Sequence, residues 1–287
     1  LSDDSGGRFA IHAVTGEVVV ADGALIDYET ATSHQITVRA TNALGAFTEE
    51  TFTIAINDVA AVTTSGTSGK DVIFGTVEPD ELSGGRNKDK VHGGGGDDGL
   101  YGNGGKDKLY GGDGDDALEG GKGKDKIDGG PGIDTASYAS SKGSVTINLG
   151  KTKQKGGDAK GDKLKSIENV IGSEKNDKIV GDDKDNVLDG AGGNDVLKGK
   201  GGMDTLIGGT GDDTFIYKKG YGVDTITDLG LGNDIVDISV KGVDTFKDLK
   251  ALMTEVGSDV VIDFGKGDML ILANKTIDSL SKADFDL

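Results

Sequence analysis

A repeat of nine residues limits the fold of this chain more than any other feature. Eight consecutive nonapeptides run from Gly66 to Ser137, and five more run from Gly172 to Ile216. Glycine fills most first, second and fourth positions, aspartate fills the sixth in all units but one, and an apolar residue fills the eighth in every unit. So many copies in one register argue against the alternative interpretation, a flexible glycine-rich linker.

The period predicts a tight turn and a short strand in each unit. Glycine permits the left-handed backbone of a tight turn, and a strand at positions seven to nine turns only the eighth side chain inward. Each unit is then half a coil, so loops on one edge come from units eighteen residues apart. Position five shows this longer period, because lysine alternates there with other residues: Lys70, Lys88, Lys106 and Lys124 in the odd units, and Pro79, Asp97, Asp115 and Ile133 in the even units.

The sixth-position aspartates predict cation sites in the turns. Along one edge they stack at about 4.8 Å, where two carboxylates repel by about 3–4 kcal/mol at an effective dielectric near 20. A cation between them replaces repulsion by coordination. Carboxylates and glycine carbonyls in a flexible loop are hard oxygen ligands, which suit Ca²⁺ better than Mg²⁺ or a transition metal.

The pattern G-G-x-G-x-D-x-U-x over residues 66–216 resembles the RTX (repeats-in-toxin) family of calcium-binding proteins. The resemblance implies an all-β fold, a parallel β-roll in two blocks, with each ion between loop n and loop n+2 and bound by both aspartates and by loop carbonyls. The implied aspartate ligands are Asp71, Asp89, Asp98, Asp107, Asp116, Asp125, Asp134, Asp177, Asp195, Asp204 and Asp213. The implied glycine ligands are Gly94, Gly96, Gly105, Gly112, Gly114, Gly121, Gly123, Gly130, Gly132, Gly193, Gly202, Gly209 and Gly211.

Irregular units lower the number of sites. GTVEPDELS carries Glu78 at the glycine position before its Asp80, and GDDKDNVLD carries Asn186 in place of aspartate. Pairs of loops n and n+2 set an upper limit of about nine ions.

The inward side chains bury too little apolar surface to offset the entropy of ordering the repeats. We therefore predict that the repeats are disordered without Ca²⁺ and fold on binding it.

The flanking segments divide the chain into five predicted regions. Residues 1–60 are a partial cadherin-like β-sandwich, 66–137 and 172–216 are the two roll blocks, 138–171 are the connector, and 217–287 are the C-terminal cap and secretion-signal region. The connector resembles that of serralysin-type C-terminal regions, with a strand at SVTINL and an exposed polar loop at KTKQKGGDAKGDK. The lysines around this loop form either a binding patch or a solvated surface.

The N-terminal resemblance is carried by F-x-I-x-x-x-T-G, D-Y-E and N-D-V. It implies candidate calcium ligands at Asp27, Glu29 or Asp58. The chain departs from the cadherin-like pattern at His12 and Asn42, where that family has aspartate.

The C-terminal region resembles the end of proteins exported by type I (ABC-transporter) secretion, in which the uncleaved C-terminus is the export signal. We predict one short helix there, capped by Asp244 and carrying Phe246, Leu249, Met253 and Val256 at helical spacing. Strands are predicted at DVVIDF and DMLILA.

Composition limits the class of partner. Fifty acidic residues against 31 basic ones give a net charge of −19, which argues against nucleic acid and against an anionic membrane. The chain has no cysteine and no long apolar run, so we predict no disulfide and no transmembrane segment.

No catalytic motif is found in the sequence. The three histidines lie in separate segments, and no H-E-x-x-H or G-x-S-x-G motif occurs. We therefore predict that the chain is not an enzyme.

These observations predict an extracellular calcium-binding region of a secreted bacterial adhesin or surface protein. The alternative is the calcium-binding tail of a secreted enzyme, such as a protease, lipase or polysaccharide-modifying enzyme, whose catalytic domain lies upstream. The expected partners are calcium ions and the type I secretion machinery, with any cell-surface or polysaccharide ligand bound through upstream domains. Because the chain begins at Leu1, we expect a piece of a longer protein.

Overall fold

A computed structural model describes residues 9–11, 18–20, 33–41, 46–55 and 60–287. The chain divides into two compact units, Leu1–Ala60 and Ala61–Leu287. Within the described residues, no helix is long and apolar enough to cross a membrane.

The first unit contains two antiparallel hairpins. Strand β1 (Phe9–Ile11) pairs with β2 (Val18–Val20), and β3 (Ser33–Thr41) pairs with β4 (Phe47–Ala55). The alternation predicted from the sequence is thus present as strands. His12, Asp27, Glu29, Asn42 and Asp58 lie outside the described residues, so the cadherin-like resemblance and its ligands stay predictions.

The second unit is a parallel β-roll made of short strands. Its strands before the cap are β5 (Thr63–Ser65), β6 (Val72–Phe74), β7 (Glu81–Ser83), β8 (Lys90–Gly95), β9 (Gly99–Tyr101), β10 (Lys108–Asp113), β11 (Ala117–Glu119), β12 (Lys126–Asp128), β13 (Thr135–Ser137), β14 (Val145–Asn148), β15 (Lys155–Gly156), β16 (Lys163–Lys165), β17 (Asn169–Ile171), β18 (Lys178–Val180), β19 (Val187–Asp189), β20 (Val196–Lys198), β21 (Thr205–Ile207), β22 (Thr214–Lys218), β23 (Val223–Ile226) and β24 (Ile235–Ser239). The remaining elements are helix α1 (Phe246–Lys250), strands β25 (Met253–Val256), β26 (Asp259–Gly265), β27 (Asp268–Leu272) and β28 (Phe285–Asp286), and two short 3-10 turns, Ile277–Ser279 and Lys282–Asp284.

Strands of alternate units pair in register, which confirms that each nonapeptide is half a coil. Leu118 lies opposite Leu100, and Leu109 lies opposite Val91. The pairing forms three sheets. One sheet of twelve strands runs from β5 to β25 through both blocks, whereas the opposite wall is divided between a five-stranded sheet (β6, β8, β10, β12 and β16) and a seven-stranded sheet that begins at β15 and β14 and ends at β28.

The core consists of the eighth-position side chains of both walls, enclosed between the sheets. Leu82, Leu100, Leu118 and Leu188 of the twelve-stranded sheet are fully buried, and so is the larger Phe215 of the seven-stranded sheet. Their neighbours at positions seven and nine face outward, as in the burial pattern of β11, where only the middle residue is buried. The predicted inward direction of position eight is confirmed.

The connector contains the predicted strand but not a fully exposed loop. The segment SVTINL forms β14, which pairs in parallel with β18. The prediction that KTKQKGGDAKGDK is an exposed loop is wrong in part, because Gln154, Ala159 and Asp162 are buried. Gln154 closes the turn by bonding the backbone of residues 148 and 151, and Asp162 lies in the row of sixth-position carboxylates.

The predicted helix is shorter than expected, and its cap is a different residue. Thr245, not Asp244, caps α1, because the Thr245 Oγ1 accepts a hydrogen bond from the Asp248 backbone N–H at 3.2 Å. Met253 and Val256 lie in β25, an antiparallel partner of β26, so their helical spacing is misleading. The strands predicted at DVVIDF and DMLILA are present as β26 and β27.

Candidate metal centre

The sixth-position carboxylates form ladders along the edges of the roll. In each ladder the Oδ1 atom accepts a hydrogen bond from the backbone N–H of the sixth-position residue one coil earlier. Asp89 N–H donates to Asp107 Oδ1 at 2.8 Å, and Asp107 N–H donates to Asp125 Oδ1 at 2.7 Å. The peptide bond thus fixes one oxygen of each carboxylate and leaves the other for a different partner.

The ladders bring the predicted aspartates together in three rows. The first row is Asp71, Asp89, Asp107, Asp125 and Asp162. The second is Asp80, Asp98, Asp116 and Asp134, with Glu168 next to Asp134, and it resumes at Asn186, Asp204 and Asp224. The third is Asp177, Asp195, Asp213 and Asp234.

The second oxygen of most of these carboxylates is buried and has no hydrogen-bond partner among the described residues. These Oδ2 atoms belong to Asp89, Asp98, Asp107, Asp116, Asp125, Asp134, Asp195, Asp204, Asp213 and Asp224. An ionised carboxylate that is removed from water without a partner is costly. A row of such oxygens is therefore expected to bind cations or protons.

The same burial shifts the acidity of the ladder. Desolvation by burial and, to a smaller extent, neighbouring carboxylates raise the pKa of Asp125 and Asp195 to about 7, although the backbone hydrogen bond lowers it. The same causes raise the pKa to about 6 in Asp98, Asp107, Asp116 and Asp134. Without a bound cation, the carboxylates of these folded turns bind protons more readily than exposed carboxylates do.

The loop backbone supplies further oxygen atoms and leaves no room for side chains. Gly112 has φ +127° and Gly132 has φ +142°, a region that disfavours residues with a Cβ. A Cβ on Gly112 would overlap the Gly94 carbonyl oxygen, and one on Gly132 would overlap the Gly114 oxygen.

No cluster of three or more His, Cys, Asp or Glu side chains suited to a metal is found in the described residues. The carbonyls must therefore complete any coordination shell, and this oxygen set fits Ca²⁺.

The predicted glycine ligands all lie in these loops beside the carboxylates, and most have positive φ. Their binding of ions, like that of the predicted aspartates, stays a prediction.

Four loops differ, because a backbone N–H of the same loop bonds the side-chain oxygen that the ladder leaves free. In these closed loops position two is Thr67, Thr76, Ser173 or Asp182, and its N–H donates to the sixth-position side chain of the same unit. For example, Thr67 N–H donates to Asp71 Oδ2 at 2.8 Å. The predicted ligands Asp71 and Asp177 thus lie in closed loops.

In the other nine repeats, the open loops, position two has positive φ even where it is not glycine, as in Ala191 (68°) and Lys200 (89°).

Two further units follow the second block, and the sequence analysis missed them. KGYGVDTIT (219–227) and LGLGNDIVD (229–237) keep glycine at positions two and four, aspartate at position six and a buried apolar residue, Ile226 or Val236, at position eight. Two inserted residues, Tyr217 and Lys218, and one more at Asp228 shift the register. The spacing G-x-G-x-D-x-U, searched without a fixed period, is the signal that finds them.

Comparison with known proteins agrees with this geometry. Residues 65–100, 101–136, 171–202 and 198–216 match the RTX calcium-binding nonapeptide repeat, in four copies. No curated protein matches the chain. Among solved structures, extracellular lipase LipA from Serratia marcescens is 18% identical with a TM-score of 0.30; the match covers 81% of this chain and 41% of the lipase, so the chain spans less than half of that protein. Such a similarity carries no argument about function.

The repeat match, the parallel pairing at eighteen residues and the buried aspartate rows agree with one another. Residues 65–136 and 171–216 are RTX calcium-binding nonapeptide repeats, and the chain carries an RTX β-roll.

Proposed function

We propose that the roll is a calcium-dependent folding module of a secreted bacterial protein. The observation that carries this proposal is the rows of buried Oδ2 atoms without a hydrogen-bond partner. Low cytoplasmic Ca²⁺ leaves these carboxylates charged and the chain extended, which suits export. Extracellular Ca²⁺, in the range of about 10⁻⁴–10⁻³ M that extracellular modules bind, then neutralises the rows and folds the roll.

The C-terminal cap is proposed to carry the export signal for a type I transporter. This proposal rests on the resemblance of residues 217–287 to the ends of exported proteins. Deleting these residues from the full chain is expected to abolish secretion by an ABC transporter of this class. Undiminished secretion of the truncated chain would contradict the proposal.

The whole protein is proposed to be an adhesin or surface protein. The hairpins β1–β2 and β3–β4 and the cadherin-like pattern in the first unit support this choice. The coding sequence upstream of Leu1 is the test. Further β-sandwich modules are expected there, whereas a protease or hydrolase motif would favour the enzyme tail instead.

Far-UV circular dichroism of the full chain tests calcium-dependent folding. Titration with Ca²⁺ is expected to produce a cooperative gain of β-signal that a chelator reverses, and Mg²⁺ is the control. A roll that is fully folded in chelator would contradict the proposal, and so would a gain produced equally by Mg²⁺.

A further inference from the structure

Asp224 lies outside the matched repeats but has the features of an open-loop ligand. Its side chain is fully buried, and its Oδ2 has no hydrogen-bond partner among the described residues. Positions two and four of its unit are Gly220 and Gly222, with φ of 86° and 90°. Thr225 lies directly opposite Thr205 in the parallel sheet, so the loop before Asp224 lies one coil beyond the loop before Asp204.

The loop before Asp204 supplies the second half of a site. Asp204 also has a buried Oδ2 without a partner, and its backbone N–H donates to Asp224 Oδ1 at 3.4 Å. The two loops are in backbone contact, because Val223 N–H donates to the Gly202 carbonyl at 3.1 Å. We propose that Asp204 and Asp224 bind a calcium ion between these two loops, completed by loop carbonyls.

Such an ion joins the roll to its C-terminal cap. The Gly222 carbonyl accepts hydrogen bonds from Met269 N–H at 2.8 Å and from the Tyr217 hydroxyl at 3.0 Å. Gly220 N–H donates to the Asp268 carboxylate at 2.9 Å. Strand β27 therefore packs on the loop that would bind the ion, and we expect ion binding to order the β26–β27 hairpin.

The test compares two aspartates of the cap in the full chain. Asp224→Asn is expected to lower the calcium stoichiometry by one ion in isothermal titration calorimetry and to speed amide exchange in β26 and β27 at saturating Ca²⁺. Asp234→Asn is the matched control, because Asp234 Oδ2 already accepts a hydrogen bond from Gly230 N–H at 2.6 Å. This variant is expected to keep the wild-type stoichiometry.

This inference rests on the proposed function, but the experiment distinguishes the failure of one from the failure of the other. If the wild type binds no calcium, the proposed function fails as a whole. If the wild type binds calcium and Asp224→Asn changes neither stoichiometry nor exchange, only the cap site is overturned. Loss of one ion in both variants would overturn the distinction between Asp224 and Asp234. Asp204→Asn must reproduce the loss if the site is shared.

A second observation, independent of calcium, concerns the outer face of the five-stranded sheet. Lys90, Lys108, Lys126 and Lys163 occupy the same position on neighbouring strands and lie directly opposite one another. We call this row the lysine face. Neighbouring strands are about 4.8 Å apart, so like charges that lie directly opposite one another repel. None of these four lysines forms an ion pair among the described residues.

The surroundings of the lysine face add further positive charge and a stack of aromatic rings. The turn next to it carries the exposed Lys88, Lys106 and Lys124. On its other side Phe74, His92 and Tyr110 stack with ring centroids 4.9 and 4.7 Å apart. This concentration of positive charge occurs although the chain has a net charge of −19.

We infer that the lysine face binds an acidic polysaccharide, whose anionic groups repeat along an extended chain as the lysines do along the sheet. Single-stranded nucleic acid fits less well, because it uses free aromatic faces for base stacking. Here the three rings stack on one another at interplanar angles of 14° and 12°, which covers both faces of His92 and one face each of Phe74 and Tyr110.

Binding of chondroitin sulfate to the full chain in saturating Ca²⁺ tests this inference. The triple substitution Lys90→Gln, Lys108→Gln and Lys126→Gln is expected to weaken binding about tenfold or more and to reduce its salt dependence. The control is Lys151→Gln, Lys153→Gln and Lys160→Gln, three exposed lysines of the connector, which should leave the affinity unchanged.

Three outcomes would overturn the inference. They are no binding by the wild type, equal losses in the two triple variants, and tighter binding of single-stranded DNA than of the polysaccharide.

Discussion

The first coil of each block and the coils that follow it use the same strands and the same buried row, but they satisfy their carboxylates differently. In the closed loops around Thr67 and Ser173, the backbone N–H of position two donates a hydrogen bond to the second carboxylate oxygen. In the open loops position two turns to positive φ and the oxygen has no partner among the described residues. Within the thirteen registered repeats, the backbone conformation at position two thus separates the loops whose second oxygen is bonded from those in which it has no partner.

The largest expected effect is the loss of an open-loop carboxylate. Asp107→Asn removes a charge shared by two predicted sites, with Asp89 and with Asp125, and is expected to lower the free energy of unfolding in Ca²⁺ by about 3–5 kcal/mol. Asp71→Asn, in a closed loop, is expected to cost about 1 kcal/mol. Chemical unfolding at fixed free Ca²⁺ measures both, and equal losses would contradict the comparison.

A smaller effect is expected from filling an open loop. Gly112→Ala places a Cβ at φ +127° against the Gly94 carbonyl and is expected to destabilise the roll by about 2–3 kcal/mol. Gly104 is the matched control, since its added Cβ would meet nothing within 4 Å and its φ is not positive. Gly104→Ala should leave the unfolding midpoint in denaturant nearly unchanged.

Acidification tests the buried carboxylates of the open loops in the absence of calcium. Burial raises the pKa of Asp125 and Asp195 to about 7 in the folded chain, above the value of about 3.9 for an unfolded aspartate. The folded state then binds more protons than the unfolded state between these values, so stability without Ca²⁺ is highest at low pH and falls as pH rises towards 7.

Circular dichroism in chelator is therefore expected to show more β-signal at pH 5 than at pH 7.5, while calcium affinity changes in the opposite direction. A calcium-free signal that increases with pH would contradict the assignment of buried neutral carboxylates.

The smallest expected effect is the conversion of a closed loop into an open one. Thr67→Gly removes the Oγ1 contacts with Asp71 and frees position two to adopt positive φ. The free energy of unfolding is expected to change by less than about 1 kcal/mol, but titration calorimetry should detect one more calcium ion between Asp71 and Asp89. An unchanged stoichiometry would show that position two does not control binding.

The sequence predicted the repeated parts of the molecule well and the irregular parts poorly, for identifiable reasons. The nonapeptide repeat determines the residue types at positions six and eight, so the places of residues such as Asp116 and Leu118 could be predicted from the sequence. Asp162 and Asp224 were missed because inserted residues break the register, and only strand pairing restores it. The closed loops were missed because Thr67 and Gly85 differ in a backbone angle that the motif does not report.

The twelve-stranded sheet gives the roll a defined response to mechanical load. Its hydrogen bonds run along the long axis through both blocks, so a pull on the two ends stretches these bonds and opens them one coil at a time. Each coil of eighteen residues would release about 60 Å of extended chain, and the ions on its edges would set the force of each step. A roll built in this way would lengthen in increments under load and would refold when the load is removed in the presence of calcium.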